Sequence, residues 1–372
     1  MTTGNKSVGF VVDGLLPSFA FASMRRLGPL SVFMGGRSHT AMGVMRFGWI
    51  ADAVNSHAGY GMHYELYRPF RTYDMLIFVK SMNPACMELA RQYSAMGKPV
   101  LLDINVNSFD PPEGNYYYDG MKPTQEQNEN AIAMAKKCDG VMASSLVIEQ
   151  AAGKYNPVTA CIPDNVRLDA VPPDNGSSGL SGKHLRLLWS GQAVKLFDLL
   201  AIEDVLRDFR ANLELVLVTS DLSAMELVYE PYRSRLKKLL ADLNCRIIRY
   251  ESIPQLLNVY QEGGIVISPR FMDSPYNLGH TEWKITLGMA CGRMAVCSPL
   301  RSYREVAKLS GGRGLRICED SAGWSAVFDA MLGNHFDWMQ EQTAAREVVS
   351  EHYSSTVIAE KHAGFVTGLM KL

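Results

Sequence analysis

The stretch Gly264–Leu300, GIVISPRFMDSPYNLGHTEWKITLGMACGRMAVCSPL, decides how the rest of the chain is read. Ile265 to Ser268 is a short apolar run rich in β-branched residues, the pattern of a strand buried on both faces of a parallel sheet. A polar loop from Pro269 to about Gly279 follows, carrying Asp273 and Asn277. A helix then opens on Thr281, Glu282 and Lys284 and ends among the small residues Gly288, Ala290 and Gly292. A second apolar run, Met294 to Cys297, stops at Ser298-Pro299. Strand, loop, helix, strand is one right-handed crossover unit. In open α/β sheets ligands bind beyond the carboxyl ends of the strands, so the loop and helix start after Ser268 are where chemistry is expected. A helix N-terminus offers unpaired N–H groups and the positive end of a dipole, which suits phosphate. Arg270 and Lys284 add formal charge at the same place.

Working outward, 372 residues are too many for one ordinary core, and two domains are expected. Lys and Arg number 37 against 38 Asp and Glu, a net charge of -1, which argues against a nucleic-acid binder with its basic surface. No apolar run reaches the ~18–20 residues of a membrane span, so membrane contact is expected to be peripheral at most. The N-terminal segment carries Asp13 and lacks a clear cleavage site. It reads as a first strand and not as a signal peptide, which places the protein in the cytoplasm. The seven cysteines are scattered, without a CxxC or Cys/His cluster, and read as reduced core thiols with no zinc site.

From the start, apolar runs bounded by turn residues predict strands at Val8–Val12, Leu30–Met34, His63–Tyr67, Met75–Val79, Val100–Ile104, Gly140–Ala143 and Val158–Ile162. Helical spacing predicts helices over 39–58, 84–96, 124–137 and 145–152. A long aromatic and polar loop, 108–122, separates two of these elements. Pro172–Lys183, PPDNGSSGLSGK, reads as a linker. The rhythm then restarts, with strands at Leu185–Trp189, Leu213–Val218, Arg246–Tyr250, Ile265–Ser268, Met294–Cys297 and Leu315–Cys318, and helices over 224–241 and 252–262. The tail from 321 is helical with a break at Gly333-Asn334. The expected fold is α/β, two doubly wound Rossmann-like domains facing a central cleft. Their expected bounds are 1–171 and 184–350, with 172–183 as linker and 351–372 as a helix crossing back to the first domain.

The first strand of the second half ends in WSGQAVK, where Gly191 lets backbone approach a ligand and Lys195 stands before the next helix. Neither GxGxxG nor a Walker loop is present. Lys195, Arg270 and Lys284 together place three cations at strand ends of one sheet, enough to neutralise a diphosphate; Arg binds two oxygens at once and Lys acts as a point charge. Tyr250, beyond the third strand, offers an aromatic edge for a flat base, and Ser252 after it reads equally as a helix N-cap. In the first half, Asp103 ends a strand that is expected to face the cleft, as a base or an orienting group for a hydroxyl, or as a turn cap. His39 and His280 lie in loops near the same cleft, and Tyr116–Tyr118 either stacks a sugar or covers the first domain.

The order IPDNV, linker, LLWSGQAVKLFDLL, YESIPQLLNVYQEGGIVISP and NLGHTEWKITLGMACGRMAVCSP resembles retaining glycosyltransferases of the GT-B fold, the glycosyltransferase family 4 type. Met289-Ala290-Cys291-Gly292-Arg293-Met294-Ala295-Val296-Cys297-Ser298 matches the "NKxxxxMAxGxPVVxS" form of that group's signature, with Lys284 in the lysine place. Gly279 and Leu287 stand where the group has a pair of glutamates, and Gln192 where it has an arginine. The resemblance implies a UDP-, GDP- or dTDP-sugar donor held by the second domain, a carbohydrate or glycoconjugate acceptor in the first, and no metal. Asp103, Lys195 and Lys284 are then the expected catalytic groups. Gly191, Lys195, Tyr250, Arg270, Asn277, Glu282 and Lys284 are the expected donor contacts, with Glu282 as carboxylate for the ribose hydroxyls. The alternatives are an epimerase or phosphorylase of similar shape and a non-catalytic two-domain binding protein.

Overall fold

A computed structural model describes residues 5–12, 44–110, 113–173, 176, 179–181, 183–333 and 335–370. The expected strand Leu30–Met34, His39 and the start of the helix expected over 39–58 lie outside them. The chain forms two parallel sheets flanked by helices. The first contains β1 (Lys6–Val12), β2 (Met62–Leu66), β3 (Met75–Val79), β4 (Val100–Ile104), β5 (Gly140–Ala143) and β6 (Thr159–Cys161), in the order β2-β1-β3-β4-β5-β6. β3, β4 and β5 are buried along their whole length, which is why, Asp103 in β4 apart, they read as apolar runs.

The second sheet contains β7 (Leu180–Ser181), β8 (His184–Gly191), β9 (Leu213–Thr219), β10 (Cys245–Arg249), β11 (Ile265–Ser268), β12 (Ala295–Cys297) and β13 (Leu315–Ile317). Its order is β10-β9-β8-β11-β12-β13, with β7 added antiparallel to β8 from inside the stretch read as linker. The chain runs outward from β8 to β10 and then returns to β11 on the other side. The order therefore reverses between β8 and β11, and that is the crevice where such sheets hold ligands.

The helix Trp283–Ala290 lies over β11 and shares its core, with Ile285, Leu287 and Met289 packed among Val266, Leu188 and Val216. It ends in a Schellman motif: Gly292 (φ 72°) donates to Met289 O at 2.8 Å and Arg293 N–H to Gly288 O at 3.0 Å. The single helix expected over 224–241 is two pieces, a short 3-10 turn Leu222–Leu227 and the helix Tyr232–Asp242. Pro231 between them has no N–H to continue the first piece and suits the start of the second. The tail breaks twice, at Gly333 and at Tyr353-Ser354. Its helix Trp338–His352 packs on the second sheet's core through Ala345, Val348 and Val349. Its helix Ser355–Met370 packs on the first through Ile358, Ala359, Ala363 and Val366. Among the described residues no helix is long and apolar enough to cross a membrane.

Candidate active site

Three positive side chains converge beyond β8 and β11. A 3-10 helix, Ala193–Ile202, follows β8; with three residues per turn it sets Lys195 and Asp198 one above the other. Arg270 follows β11, and its backbone N–H donates to Ser298 Oγ (2.8 Å). Its Nη1 donates to Asp198 Oδ2 at 2.6 Å, and both side chains are buried. Lys284, in the first turn of Trp283–Ala290, places Nζ 4.4 Å from the Trp189 ring centroid, and Lys195 places its own 5.1 Å from that of Tyr276. All three cations act on Asp198 and on the imidazole of His280.

Lys195 and Lys284 keep part of their surface open, yet crowding in low dielectric controls their protonation. Burial and the Arg270 charge push Lys195 down to about 8, against the support of Tyr118 and Asp198. Lys284 is held well below its ordinary value by burial and by Arg270. His280 is driven down by burial and the three cations, and is neutral. Asp198 Oδ1, Arg270 Nε, Trp189 Nε1 and His280 Nε2 are buried without a hydrogen-bond partner among the described residues. Buried polar atoms are almost always paired; of these four, Arg270 Nε and Trp189 Nε1 can only donate and Asp198 Oδ1, ionised, only accept. Gly191 ends β8 beside this crevice, where a Cβ would strike the Trp189 indole at 2.9 Å.

The other expected residues divide. Asn277 is fully buried and holds the loop itself, its Nδ2 donating to Phe271 O (2.9 Å), while its Oδ1 is unpaired. Tyr250 follows the edge strand β10, two strands from β8, outside the cluster; its N–H donates to Thr219 O (2.7 Å). Ser252 caps the helix Ile253–Gln261 as read. Glu282 turns the other way from Lys284, toward Asp164 and Arg46 of the first half. Burial and the Asp164 charge push it up to about 8, and its Oε1 is unpaired. A Cβ at Gly279 would come to 3.1 Å from Asn107 Cβ, the Gly279 carbonyl takes Ser145 Oγ–H, and Leu287 is core. The places of the expected glutamates are thus filled by packing.

Asp103 does not stand open to the cleft. It is 1% exposed, and Arg46 donates to both its oxygens, Nε to Oδ2 at 3.1 Å and Nη2 to Oδ1 at 2.5 Å. Arg46 Nη1 also reaches Asp164 Oδ1 (3.2 Å) and Ile162 O (2.7 Å). The result is a buried triad in which both Asp103 oxygens are engaged by Arg46 and the carboxylate is closed off from solvent.

The tyrosine run neither stacks in the open nor covers the first domain. It straps across onto the second. Tyr117 packs against both Phe197 (ring centroids 4.5 Å apart) and Phe271 (4.7 Å), and its hydroxyl donates to Asp273 Oδ2 at 2.6 Å. Asn115 binds Asp273 through backbone and side chain. The Tyr118 and Tyr276 hydroxyls lie 3.5 Å apart next to Lys195.

No protein-family model matches the chain, and no curated protein does. Solved structures are similar to it over nearly its whole length. Anabaena HepE, solved with UDP and glucose, superposes with a TM-score of 0.59 at 12% identity, over 98% of this chain and 100% of that one. A glycosyltransferase from Rickettsia africae gives 0.59 at 13% identity over 99% of each chain. A UDP-forming α,α-trehalose-phosphate synthase from Burkholderia xenovorans gives 0.58 at 9% identity over 98% and 99%. The fold is GT-B. At such identities the likeness carries architecture only. Within the GT-B frame the cationic crevice lies on the second sheet and the Arg46 triad on the first.

Proposed function

We propose that this chain is a glycosyltransferase that moves a sugar from a nucleoside-diphosphate sugar to an acceptor hydroxyl, with retention and in the manner of the family 4 type, in the cytoplasm. The observation that carries the reading is the convergence of Lys195, Arg270 and Lys284 on unpaired donors at the point where the strand order reverses. As the bond between sugar carbon and phosphate oxygen breaks, charge builds on the leaving diphosphate. Fixed cations in a water-poor crevice stabilise that charge without having to reorganise. Gly191 supplies the close backbone approach. On the facing side, Glu282 is protonated below about pH 8 and offers its hydrogen-bonding capacity to a hydroxyl-bearing group. Asp103 is assigned a structural role and no proton transfer. The UDP and glucose bound by HepE support a nucleotide-sugar donor here.

Thermal denaturation with UDP, GDP and dTDP tests the reading. At a hundred times the dissociation constant, binding adds about 2.7 kcal/mol to stability. One of the three nucleotides is expected to raise the melting temperature, and the rise is expected to vanish in K195A and K284A. Hydrolysis of the matching nucleotide-sugar then identifies the donor. Stabilisation by free sugars alone, or by nothing, would overturn the proposal.

A further inference from the structure

Three cations in one small crevice repel one another, and the structure contains one buried carboxylate among them that sequence reasoning passed over. We propose that Asp198 is the positioning residue of the cationic clamp: one oxygen fixes the Arg270 guanidinium, and its charge allows the three cations to share the crevice. This rests on the reading of that crevice as a diphosphate site and names a residue that would govern it.

The geometry is specific. Asp198 Oδ2 accepts from Arg270 Nη1 at 2.6 Å, a charge-assisted bond to a group that keeps its proton at every accessible pH. That single bond leaves Arg270 Nε buried and unpaired, available to a ligand, and leaves Asp198 Oδ1 equally unpaired. The charged and titratable groups around Asp198 come from five places. Lys195 lies on its own 3-10 helix, Arg270 on the loop after β11, and Lys284 on the helix Trp283–Ala290. Tyr117 and Tyr118 approach from the strap, and Tyr276 from the short helix Pro275–Leu278. Burial pushes the Asp198 carboxyl up, against the pull of Arg270, Lys284 and Lys195. With a guanidinium at 2.6 Å the ionised form prevails. In turn Asp198 supports the charge on both lysines, Lys195 being pushed down to about 8 despite it.

A carboxylate beside a phosphate site weakens the bound anion by direct repulsion. Its benefit must therefore come through the neighbours it orients and keeps protonated, and this makes the effect of its removal depend on pH. The asparagine variant, D198N, keeps the shape and the hydrogen-bond acceptor but loses the charge. At pH 6.5, below the value of about 8 for Lys195, D198N is expected to bind UDP at least as tightly as wild type. The alkaline limb of its affinity should fall about one pH unit lower, since an opposite charge at this range is worth about one unit or more. At pH 8.5 that is about tenfold weaker binding relative to wild type. D198A also loses the acceptor for Arg270 and should bind about tenfold more weakly than D198N even at pH 6.5.

The experiment is calorimetric titration with UDP or, if UDP does not bind, with GDP, dTDP or inorganic pyrophosphate. It is run from pH 6.5 to 9.5 on wild type and both variants, with melting curves to check folding. In the ligand-free proteins the Lys195 titration is read by NMR of 13C-dimethylated lysines. A limb that stays in place in D198N, or a loss equal at all pH values, makes Asp198 merely structural and overturns the inference. If D198N does not fold, D198N/R270Q removes both members of the buried pair together. It should bind more weakly than wild type with its limb near the wild-type position, and a limb about one unit lower would overturn the inference. If wild type binds none of these anions the functional reading fails, and the lysine titration decides the role of Asp198 by itself: Lys195 must lose its proton at lower pH in D198N.

Discussion

Gly288 is the point at which stability and site geometry can be disturbed together. A Cβ built there overlaps Val266 Cγ2 and comes to 3.4 Å from Val266 Cβ. Val266 is fully buried in β11 and, as a β-branched residue, has little freedom to turn away. Carbon atoms settle at about 3.5–4.0 Å, so in G288A the helix Trp283–Ala290 must retreat from β11 by about 1 Å. Overpacking of this kind costs about 1–3 kcal/mol. Replacing glycine by alanine inside a helix returns about 0.5–1 kcal/mol. The packing term wins, and the net loss should be about 1 kcal/mol. Lys284 lies one turn earlier on the same helix, so the same retreat lifts its ammonium from the Trp189 ring, now 4.4 Å away. Misplacement by about 1 Å can cost about a hundredfold in a preorganised site, and UDP affinity should fall at least tenfold. The assay is urea denaturation followed by tryptophan fluorescence, paired with nucleotide titration. V266A should cost about 2 kcal/mol alone, yet V266A/G288A should be more stable than the sum of the two losses by about 1 kcal/mol or more. A G288A protein with wild-type stability and wild-type nucleotide affinity, or a double variant that is simply additive, refutes the reasoning.

R46M should lose about 3–5 kcal/mol in chemical denaturation, because it strands Asp103 and Asp164 as buried carboxylates without a partner. Protonation of Asp103, which burial already pushes up, relieves the repulsion in the variant, so the deficit should be smaller at pH 5 than at pH 8, and an equal deficit at both would count against an electrostatic origin. Glu282 binds a proton more tightly in the folded chain than its ordinary value of 4.5. The folded state thus holds more protons than the unfolded one between those limits. Its contribution to stability is fully present below about 4.5 and is lost as pH rises through about 8, with a slope of up to about 1.4 kcal/mol per pH unit. E282Q should flatten the wild-type decline over that window, as read from urea midpoints at several pH values; an unchanged slope would exclude Glu282 as its source.

The strands were legible where burial was complete. Met75–Val79 and Ile265–Ile267 are apolar without interruption because both faces of a parallel strand are covered. The helix that follows β11 was legible from its small residues, and Gly288 and Gly292 prove to be required by packing and by the helix end. Contacts between distant segments were not legible. Asp103 read as open because nothing near it in sequence neutralises it; its partner Arg46 is 57 positions away on another element. Tyr117 finds Asp273 at a separation of 156. Asp198 was within reach, three places after Lys195 in KLFD, but its apolar neighbours made the segment read as packing. Glu282 and Lys284 were read as one group, although two residues on a helix differ by about 200° in direction and so serve different halves of the molecule.

The chain passes between the two sheets at residues 165–166 on the way out and at 353–355 on the way back, and the passages are bonded to each other. Val166 N–H donates to Tyr353 O (2.8 Å), Ser355 N–H to Val166 O (2.9 Å) and Ser355 Oγ–H to Asn165 Oδ1 (2.6 Å). Asn165 also takes the Trp283 indole N–H on its carbonyl (3.1 Å) and donates to Met45 O. Asn165 is therefore a knot that ties both crossings to Met45 on one side and Trp283 on the other, so a single residue there joins four segments that lie far apart in the chain.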